Sequence, residues 1–129
     1  MKAIILVTEQ SLNMAKTIQR ELGDTTIYTK NDCDGCMNIT SYSRFLLEHF
    51  NEFESIVFIG AMGICIRSIA ACLKNKYKDP AVLCVDSIGR YVIPVLSGHI
   101  GGANELSRRV AAVTAITNST FDIGISSYL

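Results

Sequence analysis

Short apolar runs alternate with helix-period segments from one end of this 129-residue chain to the other, and that rhythm constrains the fold more than any single residue. It is the pattern of a largely parallel sheet covered by helices on both faces. Ala3 to Thr8 reads as the first strand. Leu12, Ala15, Ile18 and Leu22 then recur on one helix face, with Ser11 as cap and Gly23 as stop. Thr25 to Thr29 is a β-branched strand. After a polar loop from Asn31 to Asn38, the residues Tyr42, Phe45, Leu46, His49 and Phe50 mark a second amphipathic helix, with Ser41 near its start and a polar opposite face. Ser55 to Ile59 is apolar without alternation, as expected of a central strand. Ile66, Ile69, Ala70 and Leu73 define a third helix, and Ala81 to Val85 the next strand. Asp86 to Arg90 is short enough to be a hairpin turn, so the strand from Tyr91 to Leu96 must lie antiparallel to its predecessor. Pro94 cannot donate to a ladder, which places that strand at or near an edge. A last helix, Ala103 to Val113, buries Ala103, Leu106, Val110 and Val113, and a short strand around Ala115 to Thr117 closes the sheet.

The expectation is one three-layer, Rossmann-like α/β domain over residues 1–117, mostly parallel with one antiparallel hairpin strand. Residues 118–129 read as a tail or the start of a linker to a domain absent from this chain. An apolar share of 49% suffices for a core in a chain this size. Twelve cationic and twelve anionic side chains are interspersed without a basic stripe, which argues against nucleic acid as a partner. The cluster Lys74 to Lys78 reads as a solvated helix end. The apolar start, Ala3 to Val7, is far shorter than a secretory core or a membrane span, so a cytoplasmic protein is expected. Of the five cysteines, Cys65, Cys72 and Cys84 fall in apolar patterns as small buried hydrophobes. Cys33 and Cys36 form a Cys-x-x-Cys in a polar loop. No second Cys or His pair completes a four-ligand site, so no metal is expected there.

Chemistry concentrates in two glycine-framed turns. Gly60-Ala61-Met62-Gly63 follows the third strand, and Ser97-Gly98-His99-Ile100-Gly101-Gly102 joins the hairpin strand to the last helix. Glycines let the backbone approach a ligand closely, and the free amides of the helix that follows favour anions. His99, one of two histidines, puts a residue type able to move protons near neutral pH inside the second turn. Each turn follows the carboxyl end of a strand, so both are expected at one rim of the sheet, with Met62, Arg67, Asp86, His99, Asn104 and Glu105 converging on one crevice between them. Each has a plainer alternative. Arg67 reads equally as a surface helix residue, Asp86 as a turn stabiliser, and Asn104 and Glu105 as first-turn residues that suit the helix dipole. His99 has no core to fill and stands out from the set.

Several segments resemble a known family. They are Phe58-Ile59-Gly60-Ala61-Met62-Gly63-Ile64 with Arg67-Ser68-Ile69-Ala70, Lys78-Asp79-Pro80-Ala81-Val82, Val85-Asp86 with Gly89-Arg90, and Leu96-Ser97-Gly98-His99-Ile100-Gly101-Gly102-Ala103-Asn104-Glu105-Leu106. In order and content they resemble the signatures of the cobalamin-biosynthesis family CbiG, which contains the cobalt-precorrin-5A hydrolases. The resemblance implies a domain that acts on a cobalt-bearing tetrapyrrole, opening its δ-lactone and releasing acetaldehyde to give cobalt-precorrin-5B. Cobalt is carried by the substrate, and no separate cofactor is implied. On this reading His99 and Asp86 are the proton-transfer candidates. Gly60, Met62, Gly63, Arg67, Ser97, Gly98, Gly101, Gly102, Asn104 and Glu105 line the substrate site. Family members typically continue into a further, carboxyl-terminal domain, sometimes fused to a methyltransferase, and this domain is an expected partner. Two rivals remain. One is a non-catalytic tetrapyrrole-binding module, and the other is a nucleotide-binding domain, disfavoured because neither G-x-G-x-x-G nor a lysine-bearing phosphate loop is present. The sequence leaves homo-oligomerisation open.

Overall fold

The computed structural model describes residues 1–98, 102–114 and 117–118. Its strands are β1 (Lys2–Leu6), β2 (Thr25–Thr29), β3 (Met37–Asn38), β4 (Ser55–Ile59), β5 (Ala81–Val85), β6 (Tyr91–Ser97) and β7 (Thr117–Asn118). The helices are α1 (Leu12–Leu22), α2 (Tyr42–His49), α3 (Met62–Ile69) and α4 (Ala103–Thr114). The strands form one sheet in the order β3-β2-β1-β4-β5-β6-β7. Every pairing is parallel except β5 with β6. This is the expected mixed sheet.

Burial follows from the strand pleat, because successive side chains point to opposite faces and both faces are covered. On one face Ile4, Leu6, Val57, Ile59, Leu83 and Val85 meet Ala15 and Ile18 of α1 and Leu106 and Val110 of α4. On the other, Ile5, Ile56, Phe58, Val82 and Cys84 meet Leu46 of α2 and Cys65 and Ile69 of α3. The uninterrupted apolar run of β4 is thus explained by burial on both sides between β1 and β5.

Several local expectations shift. The first strand stops at Leu6. Thr8 instead caps a 3-10 turn, Glu9–Ser11, its hydroxyl accepting from Gln10 N at 3.4 Å. Ser11 makes no side-chain cap for α1. Its hydroxyl donates to Ser87 O at 2.6 Å, tying the start of α1 to the β5–β6 turn. Ser41 does cap α2, accepting from Arg44 N at 3.2 Å. Gly23 ends α1 with φ 79°. α3 stops at Ile69 and passes into a 3-10 turn, Ala70–Cys72, before reaching Leu73. α4 buries Ser107 and Ala111 beside Ala103, Leu106 and Val110, leaving Val113 half-buried. The loop Asn31 to Asn38 contains the short edge strand β3, which sequence reading missed because its residues are exposed and carry no apolar pattern. Pro94 sits where the β5–β6 register shifts, Val82 facing Leu96 but Leu83 facing Pro94, and the strand lies next to last in the sheet. A bulge near an edge is where a strand tolerates proline. The expected strand residues Ala115 and Ile116, and residues 119–129, lie outside the described residues.

Register fixes the two ends of the sheet. Leu6, Thr29, Ile59 and Val85 are aligned at the carboxyl rim of the parallel strands. Lys2, Thr25, Ser55 and Ala81 are aligned at the amino rim. Because β6 runs the other way, Val92 pairs with Val85 and Ser97 pairs with Ala81.

Candidate functional site

That last pairing overturns the shared crevice. Gly60 to Gly63 leaves β4 at the carboxyl rim, whereas Ser97 and Gly98 leave β6 at the amino rim beside Ala81. Four residue rises of about 3.3 Å separate the two levels by about 13 Å along the strands alone. The cause is the hairpin itself, since an antiparallel strand delivers its carboxyl end to the opposite side of the sheet. The expected residues therefore fall into two groups. His99 and Gly101 lie outside the described residues.

At the carboxyl rim stand Gly60, Met62, Gly63, Arg67 and Asp86. Gly60 is buried, its N–H donates to Val85 O at 2.9 Å, and its carbonyl accepts from Cys84 Sγ at 3.4 Å. A Cβ there would lie 2.8 Å from Val7 Cγ2, so glycine lets the ends of β1 and β4 pack together rather than admitting a ligand. Met62 is half-buried, packed on the apolar cluster beneath α3. Gly63 is exposed, and a Cβ there would meet Arg67 Nη2 at 3.4 Å, so the guanidinium folds back over the first turn of α3. Ala61 precedes that turn and offers no side-chain cap. Arg67 makes no ion pair among the described residues. Uncapped amides under an unpaired guanidinium make this corner receptive to a carboxylate.

Asp86 is otherwise engaged. Its Oδ1 accepts from Arg90 N at 2.6 Å and Tyr91 N at 2.7 Å, and its Oδ2 from Arg90 Nε at 3.4 Å. Gly89, at φ 74°, donates to Asp86 O at 2.9 Å and completes the turn. The plainer alternative fits Asp86 best.

The amino-rim group is Ser97, Gly98, Gly102, Asn104 and Glu105. Gly98 has φ 80°, and a Cβ there would lie 2.6 Å from Ala81 N. Both facts exclude a side chain. Gly102 O accepts from Leu106 N at 3.0 Å and so opens α4. Glu105 is exposed and pairs with Arg108 at 3.4 Å, while Asn104 contributes its carbonyl to Ser107 Oγ at 2.8 Å.

Elsewhere the motif residue Asp79 is buried and accepts from Lys74 N at 3.1 and 3.0 Å, clasping the loop between α3 and β5. A hydrogen bond to Cys84, together with burial, pushes the Cys65 thiol up beneath the Gly60 turn. Cys33 and Cys36 close a turn through Cys36 N and Cys33 O at 3.3 Å, and burial raises the Cys36 thiol. Among the described residues no group of three or more His, Cys, Asp or Glu is placed to hold a metal, and no helix is long and apolar enough to cross a membrane.

A largely parallel mixed sheet covered by helices on both faces defines a three-layer α/β domain. The sequence profile of the family described as cobalamin synthesis G N-terminal matches residues 44–120, more than half of the chain, and the chain belongs to that family. It is 39% identical over 119 residues to a cobalt-precorrin-5A hydrolase of Priestia megaterium, covering 85% of this chain and 32% of that protein. It is 45% identical over 64 residues to a cobalt-precorrin-5A hydrolase of Salmonella typhimurium, covering 50% of this chain and 18% of that protein. A crystal structure of a cobalamin biosynthesis protein G homolog from Sulfolobus solfataricus superposes with a TM-score of 0.71 at 26% identity, covering 92% of this chain and 35% of the other. The chain spans about a third or less of the length of these relatives.

Proposed function

We propose that this chain is the tetrapyrrole-carboxylate-binding portion of a cobalt-precorrin-5A hydrolase, and that it works with the part of the relatives' length it does not span. The observation that carries this reading is the 39% identity over 119 residues to the Priestia megaterium hydrolase. The exposed, unpaired Arg67 over the uncapped start of α3 supports it, because acetate and propionate arms of a precorrin are the anions such a corner accepts. Cobalt belongs to the substrate in this reading, and no resident cofactor is invoked.

The proposed reaction adds water to the lactone carbonyl and breaks the acyl–oxygen bond, leaving a carboxylate and an alcohol. Loss of the alcohol proton then breaks the adjacent carbon–carbon bond, releasing acetaldehyde while the ring carbon takes up a proton. His99 is the group proposed to move these protons. Asp86 is not retained as a base, since its lone pairs hold the turn. Coverage of about a third or less of the relatives' length supports a second reading, in which the chain alone binds without turnover. Acetaldehyde release from cobalt-precorrin-5A separates the two. Turnover by the full-length relative-sized protein but not by residues 1–129, with binding by both, supports shared catalysis, and failure of both to bind the tetrapyrrole removes the proposal.

A further inference from the structure

A cleft of about 330 Å³ lies between the amino-terminal half of α2 and the adjacent face of α3. Its walls include Ser43, Arg44 and Leu47 from α2 and Arg67, Ser68 and Ala71 from α3 and its extension. Both helices follow strands that end at the carboxyl rim, so both start there and run side by side. Among the described residues neither Arg44 nor Arg67 forms an ion pair. Arg44 also borders a neighbouring groove that Glu48 lines, but the Glu48 carboxylate lies 3.8 Å from His49 Nε2 and makes no ion pair with Arg44.

The other polar groups of the cleft are already in use. Ser68 Oγ donates to Ile64 O at 2.7 Å, and Ser43 Oγ lies 3.3 Å from Ser41 Oγ, which caps α2. The uncommitted donors are the two guanidiniums, one on each wall. Leu47, 59% exposed, and Ala71 supply an apolar surface beside them. Two fixed positive charges facing one opening repel each other, and a doubly anionic ligand relieves that repulsion while hydrocarbon lies on Leu47.

We infer that this cleft binds two carboxylates of a single small molecule, one on Arg44 and one on Arg67. The identification of those carboxylates as neighbouring arms of a precorrin rests on the proposed function; the dicarboxylate site itself does not.

Glutarate is the probe for the site alone. Titrated against the chain with the arginine Nε–H signals followed by NMR, it should shift Arg44 and Arg67 with one common, saturable midpoint. Arg44→Ala should weaken that midpoint about tenfold when read from Arg67, and Arg44→Lys should recover part of the loss, because a lysine restores charge without the bidentate fork. Arg44 is exposed and its cap uses only backbone N, so the variant keeps the fold. Linear shifts, separate midpoints or an unchanged midpoint in Arg44→Ala would overturn the site. A second titration uses an octacarboxylic tetrapyrrole and its fully esterified form. Binding of the acid, about tenfold weaker in Arg44→Ala and lost in the ester, supports the assignment to precorrin arms. Glutarate binding without tetrapyrrole binding upholds the cleft and counts against the functional reading alone.

Discussion

Replacing Gly98 by alanine tests whether the glycine of the Ser-Gly-His block serves the fold or a ligand. The position has φ 80°, and the new Cβ would sit 2.6 Å from Ala81 N and 3.0 Å from Ala81 Cα. A left-handed conformation costs a non-glycine residue roughly 1–2 kcal/mol. The overlap is with backbone, so no rotamer change relieves it; β5 and β6 must part at the pair Ala81–Ser97, and overpacking of this kind costs about 1–3 kcal/mol. The gain from a stiffer unfolded chain, about 0.4–1 kcal/mol, offsets only part. Gly98→Ala should therefore lose about 2–4 kcal/mol in urea unfolding, with no ligand present. Gly63→Ala is the control: its neighbour is the end of the Arg67 side chain at 3.4 Å, which can move, and stability should change by less than about 1 kcal/mol. A stable Gly98→Ala that has lost tetrapyrrole binding would refute the structural account and return Gly98 to the ligand.

Asp86→Asn should keep an acceptor for the Arg90 and Tyr91 amides, so acetaldehyde release by the full-length protein should stay within a few-fold of the parent; a drop of a hundredfold or more would restore Asp86 as an acid–base group. The Lys2 ammonium, 2.7 Å from Glu54, holds that carboxyl below the usual glutamate range. Its folded pKa is depressed, so its contribution is fully present above the unfolded glutamate pKa, near 4.3, and is lost as pH falls through the folded value. Glu54 is half-exposed, so the contribution should be below about 1 kcal/mol, and Glu54→Gln should flatten the acid limb of stability by no more than that. In the full-length protein His99→Gln should slow acetaldehyde release by about 10²–10⁴-fold with little change in tetrapyrrole affinity; joint loss of both would make His99 a ligand rather than a proton carrier.

The sheet and its helices were legible because β1, β4 and β5 carry apolar runs, β2 is β-branched, and α1, α2 and α4 carry helical spacing, signals strong enough to survive small boundary errors. The edge strand Met37–Asn38 was not, since an exposed two-residue strand has no pattern of its own and exists only through β2. Thr8, read as the end of the first strand, caps in place of Ser11 because an intervening 3-10 turn moved the first free amides one turn earlier. The cleft partner Arg44 was invisible for a different reason. Periodicity places it on the polar side of α2, but only the pairing of α2 with α3 brings it to the same opening as Arg67.

The misplaced crevice has the most bearing on function. The hairpin argument that made β6 antiparallel already required its end to lie beside the start of β5, and Ser97 does face Ala81. Carried to that consequence, it divides the motif residues into a carboxyl-rim set, where the Arg67 guanidinium lies over the uncapped start of α3, and an amino-rim set, where Gly98 is dictated by contact with β5. Catalysis by proton transfer needs the base within hydrogen-bond reach of the reacting atom, whereas affinity for a polycarboxylate can be gathered at a distance from the chemistry. A carboxylate gripped by Arg67 at one rim therefore lies about 13 Å along the strands from groups at the other.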